Sequence, residues 1–160
     1  MCRIVAPRAV EKVSAGLLMY RKASGQLEVL LVHPGGPFWR RKDLAAWTIP
    51  KGGLGPDEDL LDAAQREFQE ETGCEPHGPF LPLAAVRQAG GKVISTWAFQ
   101  GDWDPAELRS NTVTMEFPKG SGRFRTFPEV DRAGWFDLPE ARRRVNPAQV
   151  ALLDELERLV

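Results

Sequence analysis

The sequence has few cysteines, no long apolar run and no excess of either charge. Cys2 and Cys74 are too few for a disulfide framework or a CxxC zinc site, which favours a reduced compartment. The longest apolar run, near residues 29–32, is far shorter than the ~20 residues that a membrane helix needs. The 21 Lys and Arg residues nearly balance the 22 Asp and Glu residues, so no strong field favours nucleic acid or a membrane surface.

The composition indicates one globular domain. The chain has 160 residues, of which 42% are hydrophobic and 27% charged, and this length can bury a core without a disulfide or metal. The stretch from Met1 to Val5 has no long apolar segment followed by a cleavage site, so a secretory signal is not expected. We therefore expect residues 1–160 to form one cytoplasmic domain, and the sequence leaves its oligomeric state open.

Hydrophobic periodicity predicts strands interspersed with a few helices. Strands are expected at residues 13–20, 27–33, 80–88, 92–100, 112–117 and 134–136, with a short β-like run at 47–49. The strongest predicted helix runs from Asp57 to Thr72 and ends at Gly73, and two more helices are expected at 138–145 and 147–160. Strands and helices in this order predict a layered α/β or α+β domain.

Three glutamates share one face of the strongest predicted helix. Glu67, Glu70 and Glu71 are spaced i, i+3 and i+4, within one turn. At about 100° per residue they overlap the arc that holds Leu60 and Ala64. A solvated face would place its acids opposite the apolar arc and pair them with Lys or Arg four residues later. The positions four residues after Glu70 and Glu71 hold cysteine and glutamate, so such pairing is not expected.

Clustered carboxylates of this kind need a positive partner. Each pair repels by roughly 1 kcal/mol at 4 Å in water, and by more near protein. The cluster must therefore raise its pKa values or bind a divalent cation, and oxygen ligands suit Mg²⁺ or Mn²⁺ rather than zinc. Before the helix, glycines at 52, 53 and 55 permit close backbone approach, and Lys51 places a cation where a phosphate oxygen could bind.

The loop and helix together resemble the signature box of the Nudix hydrolases, which here spans residues 52–74. The matching residues, in order, are Gly52, Glu58, Arg66, Glu67, Glu70, Glu71 and Gly73. Phe68 and Cys74 stand where leucine and an aliphatic residue are more usual, and both remain apolar. The resemblance implies an α/β/α sandwich around a mixed β-sheet, with the box forming a loop, a helix and a second loop.

The resemblance also implies an activity and its ligands. Nudix hydrolases cleave a phosphoanhydride bond in a nucleoside diphosphate linked to another group, with Mg²⁺ or Mn²⁺ as cofactor. By position, Glu67, Glu70 and Glu71 are implied as metal ligands, with one of them doubling as the base that activates water. The carbonyl of Gly52 is implied as a further ligand.

Other polar residues receive supporting roles from the same resemblance. Arg66 and Glu58 are expected to orient the carboxylates and the loop rather than to touch substrate. An additional catalytic carboxylate is expected at Glu129, because some family members place one at about this distance before a tryptophan such as Trp135. Glu116 is the alternative, and a capping or exposed role for Glu129 is an equal possibility.

Residues 47–53 resemble the branch that includes diadenosine polyphosphate and diphosphoinositol polyphosphate hydrolases, and Lys51 carries this likeness. Arg40, Arg41 and Lys42 lie one loop away and are candidates for phosphate contacts. We therefore expect a small polyphosphorylated substrate and neither a nucleic-acid nor a membrane partner. The alternatives are an ADP-ribose or (d)NTP pyrophosphohydrolase, or a non-catalytic nucleotide-binding Nudix domain.

The remaining histidines and tryptophans have structural interpretations. His33 and His77 adjoin proline and glycine in predicted loops and are not assigned to catalysis. The five tryptophans are interpreted as packing residues, although one of them stacking on a base is compatible with the sequence.

Overall fold

The structure, a computed structural model, describes residues 12–160, so Cys2 and the amino-terminal segment lie outside the described part. Its strands are β1 Val13–Ala23, β2 Gln26–Pro34, β3 Lys51–Gly53, β4 Leu81–Pro82, β5 Val86–Arg87, β6 Val93–Gln100, β7 Thr112–Glu116, β8 Phe124–Pro128 and β9 Val130–Asp137. Its helices are α1 Leu60–Thr72, α2 Leu138–Arg144 and α3 Val150–Leu159, with 3₁₀ turns at Pro105–Glu107 and Pro147–Gln149. None of the helices in this range is long and apolar enough to cross a membrane.

The strands form a mixed sheet with the order β4-β6-β1-β2-β9, to which β3 is added on β1 and β5 on β6. β1 and β6 run parallel, while the other pairs in this sheet are antiparallel. Because β6 occupies one edge of β1, β3 and β2 share the other edge, β3 at Ser14–Gly16 and β2 from Tyr20 onward. This arrangement places the loop that follows β3 beside the middle of the sheet. β7 and β8 form a separate hairpin.

Helices cover both faces of the sheet, so the α/β/α sandwich around a mixed sheet is confirmed. On one face, α1 buries Ala64 and Phe68 against Leu17 and Leu30. On the opposite face, α2 and α3 pack against the strand residues that point the other way. The buried residues of this second core include Leu18, Val29, Leu31, Ile94, Leu138, Ala141, Leu152, Leu153 and Leu156. The alternation of adjacent strand residues between the two cores is the period of two that a sheet covered on both faces requires.

The signature helix α1 begins later than the sequence predicted, but it ends at the predicted residue. It begins at Leu60 rather than Asp57, because Asp57 has a φ of 55° and Asp59 is extended as the N-cap. Gly73 ends it in the left-handed region with a φ of 81°, and the Gly73 N–H donates to the Gln69 carbonyl. This left-handed C-cap is the conformation that favours glycine.

The strand predictions were wrong in three places, and the first is β3, because Lys51–Gly53 was not predicted as a strand. Residues 80–88 were expected as one strand, but they form the short strands β4 and β5, separated by residues that belong to neither strand. β8 was not predicted, although Phe127 in it pairs with Val113 of β7. β8 is largely exposed and ends in a proline, so it lacks the apolar alternation that identifies a half-buried strand.

Candidate active site

Helix α1 buries two of its three clustered glutamates beneath the loop that precedes it. Glu67 is 8% exposed and Glu71 is 5% exposed, while Glu70 is only partly covered. Phe68 between them is fully buried in the core. The predicted overlap of the acids with the apolar arc is therefore confirmed for Glu67 and Glu71, which places ionisable groups where solvation is poor.

Strand β3 contacts these buried acids through its backbone. A Cβ atom added at Gly52 would lie 2.1 Å from the Glu67 carboxyl carbon, so at this position only glycine fits the observed side chain. The backbone N–H of Lys51 donates to Glu71 Oε2 at 3.1 Å. The predicted close approach of this glycine-rich segment to the acids is thus visible at Gly52.

Arg66 connects the loop to the acidic face of α1. Its Nε and Nη2 donate to the two carboxylate oxygens of Glu58 at 2.9 and 2.8 Å. Its Nη1 donates to Glu67 at 2.9 Å and to Glu70 at 3.2 Å. Nη2 also donates to the Gly53 carbonyl at 2.9 Å. These contacts agree with the expected role of Arg66 in orienting the carboxylates.

The same contacts correct one expectation. The sequence indicated that the acids lack helical ion pairs, because the residues after them are not basic. Arg66, four residues before Glu70, supplies such a pair from the amino-terminal side. The guanidinium and the Gly55 N–H, in that order, lower the pKa of Glu58 to about 2, so Glu58 stays ionised and anchors the loop to the helix.

The buried acids carry more negative charge than their surroundings compensate. Burial raises the pKa of Glu71 well above its ordinary value, and the nearby Glu129 raises it further. Burial also raises the pKa of Glu67 despite the bond from Arg66. Lys51 is mostly buried beside them, and its pKa is lowered first by burial and then by the neighbouring Lys92 ammonium. Lys92 stands at the start of β6 and was not singled out in the sequence.

These residues fit a hard divalent cation. Within residues 12–160, no three acidic, histidine or cysteine side chains are gathered at metal-binding distances, since Arg66 binds Glu67 and Glu70 while the Lys51 N–H binds Glu71. The donor set is nevertheless all oxygen, and the carboxylates of Glu67 and Glu71 are destabilised as anions by burial and by repulsion from nearby carboxylates. A divalent cation such as Mg²⁺ or Mn²⁺ offsets that charge.

The structure separates the two candidates for the additional carboxylate. Glu129 forms the single-residue connection between β8 and β9, and its charge acts on both Glu67 and Glu71. Glu116 instead accepts a hydrogen bond from the Gly120 N–H within the β7–β8 turn. From the sequence, Glu129 and Glu116 could be distinguished only by the number of residues that separate each of them from Trp135.

The basic loop candidates do not meet the acids directly. Arg40 and Arg41 are exposed. The Lys42 ammonium lies 3.7 Å from the centroid of the Phe38 ring and 5.2 Å from that of Trp39, which is a cation–π arrangement within its own loop. Lys51 is therefore the predicted substrate-binding cation that the structure brings to the carboxylates.

His33, the last residue of the strand predicted over 27–33, lies within β2 next to Pro34 and is 0% exposed. Its Nδ1 is 2.7 Å from Asp131 Oδ1, and its Nε2 is 2.5 Å from the Lys42 carbonyl oxygen. His33 thus ties the basic loop to β9. The sequence could not show this, because Asp131 is 98 residues away along the chain.

The NUDIX domain family model matches residues 10–156 of this chain. The chain belongs to the Nudix family. The match extends over nearly the whole sequence and covers the box, the sheet and the three helices, so the predicted family membership is confirmed.

Curated relatives match about a third of this Nudix chain. A bis(5'-nucleosyl)-tetraphosphatase (asymmetrical) of Caenorhabditis elegans is 43% identical over 59 residues, which are 37% of this chain and 38% of that protein. An RNA pyrophosphohydrolase of Xylella fastidiosa is 45% identical over 49 residues, which are 30% of this chain and 26% of that protein. The matches thus span about a quarter to two fifths of these relatives' length.

Solved structures share the fold over most of the chain. A C. elegans Ap4A hydrolase binary complex superposes with a TM-score of 0.64 at 22% identity and covers 91% of this chain and 96% of that one. The NUDIX domain of Shewanella oneidensis NrtR complexed with ADP ribose gives a TM-score of 0.65 at 18% identity, covering 98% and 95%. At these identities the comparison shows the Nudix fold.

Proposed function

We propose that this Nudix protein hydrolyses a phosphoanhydride bond of a dinucleoside polyphosphate, with Mg²⁺ or Mn²⁺ as cofactor. The observation that carries this proposal is the pair of buried carboxylates at β3, Glu67 packed against Gly52 and Glu71 bonded to the Lys51 N–H. Glu67, Glu70 and Glu71, with the Gly52 carbonyl, are the residues that would hold the cation.

When bound, the cation would neutralise negative charge on the phosphate oxygens. The chain itself positions the reactants. Arg66 holds Glu67 and Glu70 on the side of the helix that faces the loop. We infer that Glu129 accepts a proton from the attacking water on a carboxylate oxygen and that Lys51 binds a phosphate oxygen, which is supported by the effect of both charges on Glu71. Catalysis of phosphoryl transfer consists mostly of such positioning and charge stabilisation.

A polyphosphate chain is favoured over a short nucleotide sugar for two reasons. Lys51 places a cation next to the acids and Lys92 lies beside it, so consecutive phosphates would each meet a positive charge. The C. elegans relative is named as a tetraphosphatase of this substrate class. ADP-ribose and (d)NTPs are the alternatives within the family, and a non-catalytic nucleotide-binding domain is the alternative without chemistry.

A second candidate function is hydrolysis of a pyrophosphate bond of RNA, because several of the curated relatives are RNA pyrophosphohydrolases. The net charge of −1 gives no general attraction to an RNA chain. We therefore place a small polyphosphorylated substrate first, and we propose that the protein works on it in the cytoplasm.

A substrate panel with Mg²⁺ tests the proposed function. Dinucleoside tetra- to hexaphosphates are expected to give a higher kcat/KM than ADP-ribose or 5'-triphosphorylated RNA. In Lys51→Ala, the ratio of kcat/KM for dinucleoside polyphosphates to kcat/KM for ADP-ribose is expected to be smaller than in the wild type. A clear preference for ADP-ribose or for RNA would replace the proposed substrate and leave the hydrolase proposal standing. Hydrolysis of none of these would favour the non-catalytic alternative.

A further inference from the structure

An aromatic cleft opens beside the carboxylate site. It lies between the loop that follows β2 and the β7–β8 hairpin, and its volume is about 380 Å³, which is within the usual range for small-molecule sites. Its side-chain walls are formed mainly by Phe38, Trp39, Met115, Glu116, Phe117, Phe127 and Lys119. None of these residues holds Glu67, Glu70 or Glu71, so the cleft needs an explanation of its own.

Phe38 presents an aromatic face at this cleft. Its side chain is 62% exposed, which is unusual for a large apolar group. The Lys42 ammonium lies 3.7 Å from its ring centroid, and the Trp39 ring stands edge-on at 5.0 Å with an interplanar angle of 84°. Since the ammonium and the Trp39 edge leave the ring largely uncovered, Phe38 is held in place while it can still stack on a planar group.

Two glycines pack one wall of the cleft against the chain segment that carries Glu129. The Gly35 N–H donates to the Glu129 carbonyl at 2.8 Å, and a Cβ at Gly35 would lie 1.9 Å from the Pro128 carbonyl oxygen. A Cβ at Gly36 would lie 2.6 Å from the Phe127 ring. The loop is therefore packed directly on the end of β8 and on the backbone of Glu129, whose charge acts on Glu67 and Glu71.

We propose that this cleft binds the nucleobase of the substrate, stacked on Phe38, while the phosphates extend to the carboxylate site. The inference rests on the proposed function and adds how the substrate is recognised. Among the described residues that line the cleft, Lys119 is the one cation and Glu116 is the one anion, so an inositol ring bearing several phosphates would find little charge compensation there. The aromatic walls suit a planar base, and Lys119 suits a phosphate near it.

Binding of AMP and of ribose 5-phosphate, measured by calorimetry with Mg²⁺, tests this inference without chemistry. The two probes differ only in the base, and neither contains a phosphoanhydride bond. AMP is expected to bind at least about tenfold more tightly than ribose 5-phosphate, as stacking on an aromatic side chain predicts. Phe38→Ala should remove most of this difference, and Phe38→Tyr should keep it.

Phe124→Ala is the matched control, because Phe124 is 68% exposed on the same hairpin and does not line the cleft. It should bind AMP as the wild type does. Equal affinities for AMP and ribose 5-phosphate, or unchanged AMP binding by Phe38→Ala, would overturn the inference. So would a wild-type dimer that Phe38→Ala converts to a monomer with no effect on AMP, since the cleft would then be an interface.

The two proposals fail separately in these experiments. If dinucleoside polyphosphates are hydrolysed but the base contributes nothing to binding, the cleft inference is wrong and the proposed function stands. If AMP binding depends on Phe38 but no phosphoanhydride is hydrolysed, the proposed function is wrong and the cleft inference stands.

Discussion

At the residue scale, the candidate site contains a glycine, Gly52, that has no space for a side chain. The Glu67 carboxylate occupies the space that a side chain at Gly52 would need, whereas a Cβ at the adjacent Gly53 would meet no atom within 4 Å. Neither glycine has a positive φ, so the difference between them is one of space. Alanine variants at Gly52 and Gly53 can therefore be compared to distinguish the effect of displacing Glu67 from the effect of placing alanine in this segment.

Gly52→Ala is expected to lower kcat at least about 100-fold, because a displacement of about 1 Å in a catalytic group costs that much. Gly53→Ala, the control, should stay within a few-fold of the wild type. Steady-state rates on a dinucleoside polyphosphate measure both variants, with circular dichroism to check that each is folded. Equal rates for the two variants would mean that Glu67 does not need its observed position.

The site residues that could be predicted from sequence are those set by local geometry. The shared face of Glu67, Glu70 and Glu71 follows from helical spacing, and so does its overlap with Ala64, whereas their role as metal ligands is implied by the resemblance to the Nudix box and stays a prediction. Ion pairs that cross between elements were harder to foresee. The link from Arg66 to Glu58 and the link from His33 to Asp131 depend on how segments pack together, and one sequence carries no direct record of such contacts.

At the scale of elements, the connection between β8 and β9 brings a carboxylate to α1. Glu129 is held on both sides by backbone bonds, with its N–H donating to the Asn111 carbonyl and its carbonyl accepting from the Gly35 N–H. Glu116 lies in the neighbouring strand β7 and bonds within its own hairpin. The two acids thus belong to the same part of the fold but face different surroundings.

Glu129→Gln is expected to lower kcat by roughly 100-fold or more at saturating Mg²⁺, which is the size of a general-base contribution. Glu116→Gln, which keeps the shape of the hairpin, should retain nearly full activity. Initial rates of the two variants, compared under the same conditions, decide between them. A strong loss in Glu116→Gln with an active Glu129→Gln would reverse the assignment.

The order of most elements could be predicted, but not all of their boundaries. The end of α1 was predicted because Gly73 supplies a left-handed C-cap, a local property of one residue. The start was misplaced because Asp57 and the extended Asp59 precede the first turn, and their conformation depends on the loop around Glu58. β8 was missed because pairing with β7 stabilises it, whereas its own sequence lacks a buried face.

At the scale of the whole molecule, three separate parts of the chain meet at the carboxylates. β3 supplies Gly52 and Lys51, α1 supplies the clustered glutamates, and the β8–β9 connection supplies Glu129. The sandwich holds these parts because α1 packs on one face of the sheet while α2 and α3 cover the other. The charge at this meeting point is the reason that we propose a divalent cation as the cofactor.

The dependence of dinucleoside tetraphosphate hydrolysis on Mg²⁺, in the wild type and in Glu70→Gln, tests this account most directly. Glu70 is partly exposed, so the glutamine variant is expected to fold normally. We predict no turnover of the wild type in excess chelator, full recovery when Mg²⁺ is restored, and a kcat for Glu70→Gln lowered by roughly 100-fold or more. Full turnover in chelator, or a Glu70→Gln variant as fast as the wild type, would contradict the assignment of this helix face to metal-dependent hydrolysis.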